Sequence, residues 1–133
     1  MKGLQQTRWR VATAVAGMVL LTALSVWAGG IQTPMPTPYS MDLYGEIAGA
    51  VPGDAVTVYD PQETLCGAFT IRMEGRYGFL HVYGDDKTTP VDEGAALQEA
   101  LQFRLNGEPL TPLTRGPILW LGDGQVLRVD FRR

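Results

Sequence analysis

Short runs in which apolar and β-branched residues alternate with polar ones fill most of the chain, separated by Gly, Pro, Asn and Asp. The densest stretch is Leu65 to Asp86, LCGAFTIRMEGRYGFLHVYGDD. Cys66–Arg72 and Tyr77–Tyr83 flank the break Met73-Glu74-Gly75-Arg76, which predicts a β-hairpin with glycine at the φ > 0 turn position. On strict alternation Phe69 and Ile71 share one face of the first strand. Gly78, Leu80 and Val82 share one face of the second, with Tyr77, Phe79, His81 and Tyr83 opposite. A hairpin apolar on both sides belongs at the centre of a sheet with something packed over it.

The same reading places a strand at Met41–Ala48, with Leu43, Gly45 and Ile47 inward, and another at Ala55–Tyr59 after the Pro52-Gly53-Asp54 turn. Asp60-Pro61-Gln62 turns the chain into the central hairpin. Leu101–Leu105 alternates as a half-buried strand, with one helical turn before it, and Asn106-Gly107 returns the chain into Pro109–Leu113. Ile118–Leu121 and Gln125–Phe131 close the chain across Gly122-Asp123-Gly124; in the last strand Val126 and Arg128 oppose Leu127, Val129 and Phe131. Seven or eight short strands at roughly ten-residue spacing predict an antiparallel all-β sandwich or barrel.

The first 28 residues have another pattern. Lys2, Arg8 and Arg10 precede the uncharged run Val11–Trp27, and Val26-Trp27-Ala28 puts small residues at the −3 and −1 positions before Gly29. This is an export signal. A bilayer span takes about 20 apolar residues, so both a cleaved signal and an anchor held through residues 11–27 stay open. Residues 29–40, with proline at 34, 36 and 38, read as an extended linker. The organisation is then 1–28 signal, 29–40 linker and 41–133 β-sandwich domain.

Charge narrows the partners. The first 28 residues hold three of the eleven basic residues and none of the fourteen acidic ones, leaving eight against fourteen, a formal −6. Nucleic acid and anionic headgroups both require clustered Lys/Arg and are disfavoured. Cys66 is the single cysteine, so no intramolecular disulfide forms. It reads as a small buried hydrophobe, with an intermolecular disulfide or a reactive thiol as the alternatives.

The run PGDAVTVYDPQETLCGAFTI…GRYGFLHVYGDDKTTPVDEGA…FRLNGEPL resembles a group of small exported bacterial modules. Its most specific pieces are Asp60-Pro61 with Cys66-Gly67, Tyr77-Gly78, and the loop Gly84–Ala95; the match covers about residues 41–131. Those modules are treated as carboxypeptidase regulatory-like or prealbumin-like β-sandwiches related to immunoglobulin-like folds. Ala96–Ala100 departs from the group, which has a Gly-Asp turn there. The resemblance implies an immunoglobulin-like or prealbumin-like sandwich at the cell surface or in secreted assemblies. It brings no catalytic residues.

Chemistry finds few footholds. After residue 28 there is one serine, Ser40, and one histidine, His81, so a nucleophile pair would have to join His81 to Ser40 or Cys66. No phosphate-cradling glycine motif is present, and a structural zinc site lacks ligands. Asp85, Asp86, Asp92 and Glu93 form the best candidate metal site, for calcium, against the plain reading of a solvated loop. Tyr77, Phe79, Tyr83 and Trp120 form the candidate ligand face, joined by Tyr44 and Tyr59, for stacking on sugar rings. The alternative is that they are core. The expected function is a non-enzymatic structural or interaction module whose partners are surface or secreted proteins. The alternatives are a carbohydrate-binding module and a surface-polymer subunit associating by strand addition.

Overall fold

The computed structural model describes residues 32–133; the predicted signal at 1–28 lies outside them. Nine short strands follow in order: β1 Ser40–Glu46, β2 Ala55–Tyr59, β3 Leu65–Thr70, β4 Arg76–Tyr83, β5 Gln102–Leu105, β6 Glu108–Pro109, β7 Thr111–Pro112, β8 Val126–Arg128 and β9 Phe131–Arg132. They form one sheet of order β4-β1-β8, a second of order β3-β2-β5-β6, and the ribbon β7-β9. The alternation that predicts these strands also selects their buried faces. Met41, Leu43, Leu80 and Val82 from the first sheet join Val56, Val58, Phe103 and Leu105 from the second in one hydrophobic cluster. Phe131 sits between Phe103 and Tyr77, with ring centroids 4.7 and 5.7 Å away. The domain is all-β, with two main sheets sharing one core, an arrangement consistent with a β-sandwich.

The predicted central hairpin is the main correction. β3 pairs with β2, and β4 pairs with β1, so the two runs lie in different sheets. The Met73–Arg76 turn does form, with Arg76 N donating to Met73 O at 3.1 Å, but it carries the chain across the core. Gly75 N bonds to Ala50 O and Ile71 N to Asp54 O, which ties both sides of the turn to the loop between β1 and β2. A run apolar on both faces therefore marks a crossover here. The all-antiparallel expectation also fails at one pair, because β8 runs parallel to β1. Ile118–Leu121 contributes only the bridge Ala100–Leu119, and Pro109–Leu113 divides between β6 and β7. No helical turn precedes β5.

One irregularity decides what faces the solvent. Between Leu43↔Leu80 and Gly45↔Tyr77 the register shifts, so two β4 residues, Gly78 and Phe79, oppose the single Tyr44. Gly78 has φ 125°, and a Cβ there would collide with Tyr44. The extra residue reverses the alternation. Tyr77 joins Leu80 and Val82 in the core at 5% exposure, while Phe79 is 57% exposed.

The described part of the 29–40 linker is laid against the domain. Tyr59 donates its hydroxyl to Gln32 Oε1 at 2.6 Å, and Thr37 Oγ1 donates to Gly84 O at 2.7 Å. Gly84 N bonds to Tyr39 O at 3.0 Å, leading straight into β1.

Candidate functional site

A hollow with mixed polar and apolar lining lies where β4 ends and the segment around Trp120 passes beneath the Gly84–Ala95 loop. The Trp120 backbone is fixed on both sides: its N–H donates to Glu99 O at 3.0 Å, and its carbonyl accepts from Gln98 N at 2.8 Å. Its indole N–H is buried and donates to Val82 O at 2.9 Å. Close approach above the ring requires glycine, because a Cβ on Gly84 would fall inside the benzo edge of the indole. Gly94 is needed one layer further out, where a Cβ would collide with Tyr83 O and Gly84. With both glycines in place, Asp85 N donates to Ala95 O at 2.9 Å and Ala95 N donates to Tyr83 O at 3.0 Å. The loop is thereby pinned to the end of β4.

A cleft of about 340 Å³ opens beside this indole. Trp120, Ala95, Ala96 and the 64%-exposed Leu97 form its apolar part, and Tyr39 closes one side. Asp85, Asp86 and Asp123 supply carboxylates, and Lys87 supplies the one cation among the lining residues. Each carboxylate is fixed through one oxygen. Asp85 Oδ1 accepts from Glu93 N at 3.2 Å, and Asp123 Oδ1 accepts from Ser40 N at 2.9 Å. Asp86 Oδ1 accepts from the Thr88 hydroxyl at 2.7 Å and the Thr88 N–H at 3.0 Å. The two Thr88 donors hold the Asp86 carboxyl below its ordinary titration range, so it is ionised at neutral pH.

The residues singled out by sequence are redistributed. Asp85 and Asp86 reach the cleft, whereas Asp92 accepts from the Thr64 hydroxyl and Glu93 from the Thr89 hydroxyl. Among the described residues no three His, Cys, Asp or Glu side chains converge as a metal site. Of the aromatic set, Trp120 and Tyr77 are both core, at 7% and 5% exposure; Trp120 reaches the cleft only by its uncovered edge, and the Tyr77 hydroxyl donates to Val129 O at 2.6 Å. Phe79 lies on the outer face of the first sheet, edge-on to Tyr44 at 5.5 Å and 66° between planes. Tyr83 is half-buried, and Tyr59 lies under the Arg104 guanidinium at 4.1 Å. The four predicted aromatics therefore share no single face; only Phe79 and Tyr83 lie together, on the side of β4 opposite Leu80 and Val82.

The nucleophile candidates are likewise committed elsewhere. Cys66 is fully buried with Sγ on Thr64 O, and burial, with Asp60 beside it, pushes the thiol up to about 12. His81 pairs with Asp42 on the outer face. Tyr39, Lys87, Leu97 and Asp123 are cleft residues that sequence reading missed. The Gly122-Asp123-Gly124 turn was the available signal, since an Asp between two turn glycines is held on the surface. A second hollow of about 340 Å³ lies along β5 between Leu101, Phe103, Pro109 and Leu110. Comparison of the chain with protein-family models, with curated proteins and with solved structures returned no match.

Proposed function

We propose that the chain is a non-enzymatic interaction module of the immunoglobulin-like or prealbumin-like sandwich type, exported by its N-terminal signal, and that the Trp120 cleft is its binding site. The observation that carries this reading is the cleft's construction. A fixed indole, an exposed leucine and three backbone-anchored carboxylates meet in one concavity, and two glycines hold the loop above it. Preorganised mixed polar and apolar lining is what a recognition site needs, since little ordering remains to oppose binding.

A photo-crosslinking residue placed at Leu97 in cells producing the full chain tests this reading. The control site is Val51, exposed in the loop after β1, whose first residue Ser40 is the one bonded to Asp123. A discrete adduct from position 97, absent from position 51 and removed by Ala96→Trp, is expected, in material recovered from the exported fraction. Equal adducts at both positions, or a chain retained inside the cell, refutes it.

Polysaccharide binding on the outer face is the second reading, favoured by the exposed Tyr44–Phe79 pair. The two rings are steeply inclined to one another, so they offer an edge and a face instead of one flat platform.

A further inference from the structure

We propose that the Trp120 cleft takes an organic cation: a primary or quaternary ammonium group on a short apolar body. The body lies against Trp120 and Leu97, and the charge lies among Asp85, Asp86 and Asp123. This deepens the binding reading above and rests on it. Charge is the first reason. Three carboxylates face one ammonium, Lys87, and among the described residues Lys87 makes no ion pair. The hollow is thus left with excess negative charge beside apolar surface.

Orientation is the second. In each carboxylate Oδ1 is taken by a backbone N–H, while Oδ2 receives no hydrogen bond from the described residues. An anion held in this way accepts a charged N–H without first being ordered. Size is the third. The three carboxylates line one cleft, yet no three acidic groups converge closely enough for a metal ion. A cation with a carbon body spans such a gap. A neutral sugar would offer hydroxyl donors but would leave the like charges uncompensated.

The test is calorimetric titration of the full chain, with the Trp120 indole N–H followed by NMR and assigned with Trp120→Phe. The probes are tetramethylammonium, 1,5-diaminopentane and Nα-acetyl-lysine amide, with 1-pentanol and glucose as neutral controls. The cations are expected to bind and shift the Trp120 signal, and added salt to weaken them. Asp85→Asn and Asp123→Asn should each weaken binding by about three- to tenfold, and Lys87→Met should tighten it. Asparagine keeps the Oδ1 acceptor, and thermal unfolding of each variant checks the fold. Tighter binding of diaminopentane than of acetyl-lysine amide assigns the ligand to free amines; the reverse assigns it to lysine carried on a protein. Cation binding unchanged in both Asn variants overturns the proposal. Pentanol or glucose shifting Trp120 as strongly as the cations overturns it too, while leaving the cleft as a binding site. If no cation moves Trp120, the proposal falls, and the adduct from position 97 decides the binding reading separately.

Discussion

Replacing Tyr77 with phenylalanine removes one hydroxyl from the core and leaves the Val129 carbonyl without the donor that reaches it at 2.6 Å. Tyr77 is 5% exposed, so water cannot take the donor's place. A buried acceptor stripped of its partner costs about 1–3 kcal/mol. Tyr77→Ala also empties the ring's place beside Phe131 and should cost about 3–5 kcal/mol. Phe79, two residues along the same strand, is 57% exposed and touches mainly Tyr44 across the strands. Phe79→Ala should cost no more than about 1 kcal/mol. A domain of this size loses about 4–8 °C of unfolding temperature per kcal/mol, so circular dichroism melts of the purified chain separate the three variants. A pH titration of tyrosine absorbance gives an independent reading. Burial, with Asp130 nearby, raises the Tyr77 phenol, so one tyrosine of the five should ionise after the rest. Equal losses from Tyr77→Ala and Phe79→Ala would mean that β4 alternates without interruption, and would refute the bulge as the device that sorts these aromatics.

Three further outcomes follow from the same contacts. Gly84→Ala drives a methyl into the Trp120 ring and should cost about 1–3 kcal/mol through overpacking, with a shift of the indole N–H resonance; a variant as stable as the parent with an unmoved indole contradicts the close approach. Asp60 is fully buried, its Oδ2 has no partner, and burial raises its carboxyl above the ordinary range, so the stability it contributes is present at low pH and is lost as pH rises through the folded-state value. Asp60→Asn keeps the acceptor for Gln62 N and Thr64 N, so in urea melts from pH 3 to 7 the stability of the variant minus that of the parent should increase as pH rises; a difference that decreases over that range is the wrong sign. Cys66, with its thiol pushed up to about 12, should stay unmodified by a maleimide at pH 8 until urea unfolds the chain, and rapid labelling of the native protein would place it outside the core.

How far the sequence carried the fold depends on the range of the interaction involved. Period-two alternation predicted β1, β2 and β5 with their inward faces, because each strand's burial follows from its own side chains. The Asn106-Gly107 turn was equally local: Leu105 pairs with Glu108, and Asn106 Oδ1 accepts from Ala55 N. Sheet membership was not local. Cys66–Arg72 and Tyr77–Tyr83 carry the pattern of a hairpin, and nothing in their residues states that their partners are β2 and β1. The bulge was hidden for the same reason. Gly78 permits an extra residue opposite Tyr44, and Gly45, paired with Tyr77, lies where a Cβ would strike the Val129 carbonyl that accepts the Tyr77 hydroxyl. Three segments distant in sequence thus fix the facing of one aromatic strand.

The candidate site shows the same division. The Gly84–Ala95 loop was legible as acidic and Trp120 as a large aromatic of unknown exposure, and each suggested its own ligand, calcium for one and sugar for the other. The fold brings half of the first set to the second. Gly84 and Gly94 are required because the loop must pass over the indole at backbone distance, and that passage turns Asp85 and Asp86 toward Trp120 while Asp92 and Glu93 turn back to Thr64 and Thr89. Asp123 arrives from the far side, held by the first residue of β1. Carboxylates spaced around a partly apolar cleft call for different chemistry from carboxylates converging on a point. The first arrangement suits a charge with a body of its own, and the second suits a bare metal ion. Composition records only that acids and aromatics are present. Which of them meet at one cleft is set by two glycines and the backbone that they let through.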